Sequence, residues 1–242
     1  HRYDHVDDLA RGVFEDLRQR ITYRENLISD ERVIVFSPHP DDDVISMGGM
    51  LDSLVTNGND VSVAYMTSGN VAVFDADVRR YLRFVSLSGD TLDLSEEGLA
   101  HFHEQCDEIE RFFAEKDPGE IDLPEVQDLK AHIRYGEAIA AIEVMGLDGG
   151  NSEFLDMPFY KTGRVRKDPI SEADIEVVYD LLTEVEPTHV FVAGDLSDPH
   201  GTHRMCYKAI KEAFQQYRDE AAVPSGDGVP DNEAAAGTRP EP

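Results

Sequence analysis

The chain has 242 residues, room for one large domain or two small ones. Asp and Glu number 50 against 22 Lys and Arg, a formal net charge of -28, which argues against a nucleic-acid partner or an anionic membrane surface. Cys106 and Cys206 are the only cysteines and neither belongs to a CxxC pair, so no disulfide framework is expected and a reducing, cytoplasmic compartment is. No apolar run approaches the ~18 residues of a membrane span, and no signal peptide is visible. The start at His1 and the Pro/Gly/Ala/acid-rich end suggest a piece of something longer. The acid excess fits two readings, a heavily solvated surface or adaptation to high salt, where carboxylate repulsion is screened.

In chain order, Val6 to Ile21 has helical spacing and reads as a lead-in helix within a linker over residues 1–30. Val33 to Ser37 is a short apolar run, long enough for one buried strand. Pro38 and Pro40 stop it and hold the chain extended, with His39, Asp41, Asp42 and Asp43 between and after them. A helix is expected from Ser46 to about Asn57, with Gly48 and Gly49 allowing close backbone approach. Val61–Met66 is a second strand, ending in the polar loop Thr67-Ser68-Gly69-Asn70. Residues 71–125 read as an insertion with helices over Asp77–Leu87 and Ser95–Lys116. Leu129–Met145 is a helix, Glu153–Met157 a third strand, Ile170–Val185 a helix with Ser171 as N-cap, and His189–Ala193 a fourth strand. Gly194 to His203 is a polar loop, Thr202–Tyr217 a last helix, and 221–242 a disordered acidic tail.

Strands alternating with helices imply an α/β fold: a Rossmann-like three-layer sandwich with a mainly parallel sheet and a helical insertion after strand two. There is no GxGxxG after strand one, so the common dinucleotide fingerprint is absent. In a parallel sheet the loops after strands one and four lie at the same edge. Together they offer His39, Asp41, Asp42, His200 and His203. Two imidazoles and one carboxylate with an open position suit a catalytic zinc. The remaining carboxylate and histidine are then free for general base and general acid work. An acidic triplet after a strand is commonly only a turn, and HxxH is commonly incidental. The joint placement of the two at one sheet edge favours a metal.

His39-Pro40-Asp41-Asp42 with Gly48-Gly49, and His200-x-x-His203, resemble the PIG-L/LmbE-type zinc-dependent N-acetylglucosaminyl deacetylases over about Arg32 to Ala213. Thr67-Ser68-Gly69, Arg134-x-x-Glu137 and Phe154-Leu155-Asp156-Met157-Pro158 also look like family elements. The resemblance is greatest to the deacetylase-like domain fused to a glucosamine-6-phosphate deaminase, with the domain at residues 31–220. It implies one Zn2+ per chain, or another divalent metal, held by His39, Asp42 and His203. Asp41 would be the base on the attacking water, and His200 the group that stabilises the oxyanion or protonates the amine. Asn70, Arg134 and Tyr160 are candidate contacts to an N-acetylglucosamine-type aminosugar substrate. An upstream deaminase domain and a homo-oligomer are candidate partners. Asp43 stands where many members have Glu, and Thr202 where many have Asp. The resemblance leaves two rivals: an accessory, non-catalytic domain of such a fusion protein, and a metal hydrolase of another bond such as a phosphoester.

Weaker clusters remain. His101, His103, Cys106 and Asp107 look like a second metal group but read better as incidental polar residues on a helix. Arg79, Arg80 and Arg83 could meet a sugar phosphate but read better as a solvated helix face. With a net charge of -28 the folded state repels itself in dilute buffer. Thermal unfolding should therefore rise in midpoint between low and molar salt; a flat or falling midpoint would reduce the acid excess to a solubility feature.

Overall fold

A computed structural model describes residues 9–14, 17, 28–89, 91–161, 163–164 and 167–221. Most of the expected lead-in helix and the tail beyond 221 lie outside them. Residues 9–14 are helical and carry exposed Leu9, Val13 and Phe14.

Among the described residues four strands form one parallel sheet in the order β3-β2-β1-β4. They are β1 (Arg32–Ser37), β2 (Asp60–Tyr65), β3 (Ser152–Phe154) and β4 (His189–Val192). The side chains of β1 alternate between two apolar layers, as strand geometry requires. Val33 and Val35 pack with Leu51, Leu54, Ala138 and Ile142. Ile34 and Phe36 pack with Val178, Leu182, Ala209 and Ile210. The helices supplying those partners are α1 (Asp42–Thr56) and α4 (Pro124–Val144) on one face, and α5 (Glu172–Val185) and α6 (Thr202–Ala221) on the other. This is the expected α/β sandwich. Burying four such side chains of β1 contributes on the order of 1.5–3 kcal/mol each.

Element ends differ from expectation for local reasons. Helix α1 begins at Asp42 rather than Ser46, placing Asp42 and Asp43 in its first turn, and it is broken at Met47, whose φ of -142° is not helical. Carboxylates at a helix N-terminus face its positive end. A Cβ on Gly48 would approach the Met145 methyl at 3.3 Å, whereas one on Gly49 would meet open space, so only the first glycine serves close packing. Helix α4 starts at Pro124, five residues before Leu129, because proline is well placed in a first turn. Strand β3 stops at Phe154 rather than Met157. Leu155 and Met157 still donate to the carbonyls of Tyr65 and Met66, but Asp156 between them takes φ 46° and ends the regular ladder.

Two further helices, α2 (Asp75–Ser88) and α3 (Glu96–Glu115), lie between β2 and α4. A closed ionic quartet ties them down. Lys130 Nζ of α4 lies 2.7 Å from both Asp75 and Asp122. Lys116 Nζ, at the end of α3, lies 3.2 Å from Asp75 and 2.6 Å from Asp122. Burial alone would raise the Asp75 carboxyl, but the two lysines outweigh it and hold it below its ordinary value. The Lys130 side chain is only 5 % exposed. Lys130→Met leaves two carboxylates without their buried cation and should cost about 3 kcal/mol in denaturant unfolding. The Asp75 share of stability is complete above the ordinary carboxylate value of ~4 and is lost as pH falls through the lower folded-state value. A variant within about 0.5 kcal/mol of the parent would remove the quartet as a determinant of stability.

Candidate metal centre

The chain runs outward from β1 to β2 to β3, then returns to the other side of β1 as β4. The loops after β1 and β4 therefore meet at the point where strand order reverses, the usual ligand site of an open α/β sheet. Pro38 to Asp41 leave β1 and His39 is carried at their centre. His203 comes from the first turn of α6.

His39 Nδ1 lies 3.2 Å from Asp42 Oδ2, His203 Nε2 lies 3.1 Å from the same oxygen, and the two imidazole nitrogens are 3.1 Å apart. Tetrahedral zinc with bonds of ~2.0–2.1 Å separates its ligand atoms by roughly 3.3 Å, so the triangle fits such an ion. Among the described residues only this group of three or more His, Cys, Asp or Glu converges closely enough to hold a metal. Burial would raise the Asp42 carboxyl, but the hydrogen bond from His39 and the neighbouring imidazoles hold it below its ordinary value. His203 Nδ1 lies 2.8 Å from the Asp195 carbonyl oxygen. A proton on Nδ1 donated to that carbonyl leaves the Nε2 lone pair facing the centre.

The third carboxylate of the loop has a different place. Asp43 is buried, accepts from the Tyr65 hydroxyl at 3.0 Å, and its backbone N–H donates to Ser37 Oγ at 3.0 Å. Burial pushes its carboxyl above the ordinary value, more than these hydrogen bonds lower it. It ties the ends of β1 and β2 to the start of α1 and holds the His39 loop from beneath.

Asp41 stands just before α1, and its carboxylate lies 3.0 Å from Arg134 Nη2 of α4. Arg134 also approaches Glu137 at 3.7 Å. Asp41, Arg134, Tyr160 and His200 line one cavity of about 510 Å³ together with the triad. Asn70 lines a neighbouring cavity of about 300 Å³, and Tyr160 borders both. His200 is exposed, and its backbone N–H donates to Asp198. Asp198 also accepts from the His203 backbone N–H at 3.4 Å. Burial would raise the Asp198 carboxyl, but these two amides and the adjacent imidazoles bring it below its ordinary value. Thr202, between the histidines, is 2 % exposed and sits in the wall of the cavity.

The weaker clusters do not converge. His103 meets Ser86, and His101 lies 3.9 Å from Glu104. Arg79 pairs with Glu110 and Arg80 with Asp77. Two residues escaped the sequence reading. Lys167 lines the main cavity; its only outward sign is a local run of cations, Lys161, Arg164, Arg166 and Lys167, in an acidic chain. Gly194 has φ 95°, and a Cβ there would sit 3.0 Å from His203 Nδ1.

The PIG-L family model, described as GlcNAc-PI de-N-acetylase, matches residues 34–214. The chain belongs to this deacetylase family. It is 46 % identical over 192 residues to a glucosamine-6-phosphate deaminase-like protein of Bacteroides thetaiotaomicron, covering 79 % of this chain and 29 % of that protein. The chain thus spans less than a third of the relative's length. A structure of N,N'-diacetylchitobiose deacetylase from Pyrococcus horikoshii aligns at 19 % identity and a TM-score of 0.47, covering 88 % of this chain and 61 % of that one. Among the described residues no helix is long and apolar enough to cross a membrane.

Gly194→Ala tests how the His203 ring is seated. A side chain at positive φ is strained, and its Cβ would press on the ring that donates to Asp195. Divalent-metal affinity in a chelator competition should fall about 10- to 100-fold while circular dichroism still reads a folded chain. Unchanged affinity would show that the ring reaches the triad without help from that glycine.

Proposed function

We propose that this chain is a metal-dependent hydrolase that removes acetyl from an N-acetylglucosamine-type aminosugar, releasing acetate and the free amine. The observation that carries this reading is the His39–Asp42–His203 triangle, with Asp41 beside it in the same cavity. Membership of a de-N-acetylase family supports the reaction class.

His39, Asp42 and His203 would hold the ion, and the nitrogen-rich donor set suits Zn2+. When bound, such a cation supplies Lewis acidity and makes water acidic enough to attack at neutral pH. Asp41 accepts the proton of the attacking water. Its link to Arg134 orients the carboxylate before attack. The proton then passes to the leaving nitrogen, since a free amine departs far more readily than an amide anion. His200, which lines the same cavity, would stabilise the charge developing on the carbonyl oxygen or deliver that proton. Its neighbour Asp198, below its ordinary value and therefore ionised, supplies the negative charge that Thr202 lacks. Tyr160 packs edge-on to His39, with ring centroids 6.2 Å apart, and closes the wall on which a sugar ring would rest.

The catalytic unit on this reading is residues 31–220, with 71–125 its helical insertion. The relative's name and greater length support a place for this unit beside a deaminase-like portion in a longer protein. Purified protein should carry one divalent metal per chain, lost in His39→Ala and His203→Ala. Asp41→Asn should keep its metal and release amine from an N-acetylglucosamine substrate about 10²–10⁴-fold more slowly. Full metal occupancy in both histidine variants would sink the centre, and an unchanged kcat in Asp41→Asn would remove the base.

A further inference from the structure

Among the described residues three buried side-chain polar atoms have no hydrogen-bond partner: Asn70 Oδ1, Arg134 Nε and Lys167 Nζ. All three lie around the candidate site. Arg134 and Lys167 line the metal-centre cavity, Asn70 lines the adjoining one, and Tyr160 joins the two. Unpartnered buried polar atoms are costly and uncommon, so their concentration at one place points to a polar ligand that supplies the missing partners.

Lys167 is the sharpest of the three. Arg134 already has Asp41 as an ionic partner. Among the described residues no carboxylate answers Lys167, although acidic residues outnumber basic ones 50 to 22 in the chain and the same cavity holds Asp41, Asp42 and Asp198. Instead its Nζ sits 3.5 Å above the centre of the Tyr160 ring. A ring face attracts the charge without using up the N–H donors, so an ammonium held there keeps them for a ligand. Burial lowers this ammonium to about 8, which still leaves it mostly charged at neutral pH. An arriving anion would replace the water that burial removed.

We propose that Lys167 anchors an anionic substituent of the substrate, so that the site selects N-acetylated aminosugars bearing a phosphate or carboxylate over neutral ones. The proposal rests on the deacetylase reading for the identity of the sugar, while the anion preference stands on the Lys167 environment alone. The acetamido group belongs at the triad and the anion at the Tyr160–Lys167 wall. Lys167 is thus a specificity residue and takes no part in the proton transfers.

The test compares N-acetylglucosamine with its 1-phosphate, its 6-phosphate and a carboxymethyl glycoside, both by amine release and by calorimetric binding. The parent should favour at least one anionic sugar by about 10- to 100-fold in kcat/KM and in affinity, the scale of one charge-assisted hydrogen bond. The phosphate and carboxylate arms show which anion fits. Lys167→Met should lose the preference through a raised KM for the anionic sugars, and Lys167→Arg should restore part of it. Equal binding of neutral and anionic sugars by the parent overturns the proposal, whatever the variants do. Equal losses on neutral and anionic sugars in Lys167→Met overturn it as well, since they would make the lysine a packing element. Anion-selective binding without amine release from any sugar would support the anchor while refuting the deacetylase reading.

Discussion

Chemistry at this site depends on β1 and β4 being hydrogen-bonded parallel neighbours, with Val33 opposite His189 and Phe36 opposite Val192. Parallel pairing puts both carboxyl ends at one edge, and the return of the chain to the far side of β1 opens a gap between the loops that follow. Only that pairing brings His39 and His203, 164 residues apart in sequence, to 3.1 Å. A shift of one residue would turn every side chain of β4 to the other face and carry its loop away from His39. The apolar burial of β1 on both faces is thus also what fixes the triangle of ligand atoms.

The acidic loop after β1 shows how neighbouring identical side chains take different duties. Asp41, Asp42 and Asp43 differ in direction because the chain turns from a strand into a helix across them. Asp41, with φ -161°, is the last residue before α1, and its carboxylate reaches Arg134. Asp42 begins the helix and turns to the imidazoles. Asp43 points down to Ser37 and Tyr65, where burial favours its neutral form. A buried carboxyl that shares hydrogen bonds with two strands and one helix stiffens the loop, and stiffness is what a site needs to hold ligand atoms at fixed separations.

Strand and helix alternation could be read from the sequence because burial imposes periods of 2 and 3.6 on apolar residues, and the α/β class followed. Element ends were less readable. The stop of β3 depends on the left-handed backbone of Asp156, and no apolar pattern signals that. The two clusters after strands one and four were visible as candidate metal-binding loops. Which of Asp41 and Asp42 faces the imidazoles was not, because it depends on backbone angles at one residue. Resemblance supplied the assignment, and the structure brings His39, Asp42 and His203 together. The importance of Gly194 lies in a close approach to a residue nine positions on, and that of Lys167 in the partners it lacks. Neither is a property of a residue type or a spacing.

Net charge and site chemistry pull in opposite directions. A chain with 50 Asp and Glu against 22 Lys and Arg repels acidic ligands at long range, although within a screening length of ~8–10 Å in physiological salt the local groups decide. The cavity sets its own local field through Arg134, Lys167 and the ion that the triad suits. Arg134 is tied to Asp41, so its charge is already answered by a carboxylate of the cavity. Lys167 has no anionic partner among the described residues, which leaves its charge for whatever enters the cavity. On the proposed reading an acidic protein binds an acidic sugar in this way: the repulsion is diffuse and screened, while the attraction is local, desolvated and aimed.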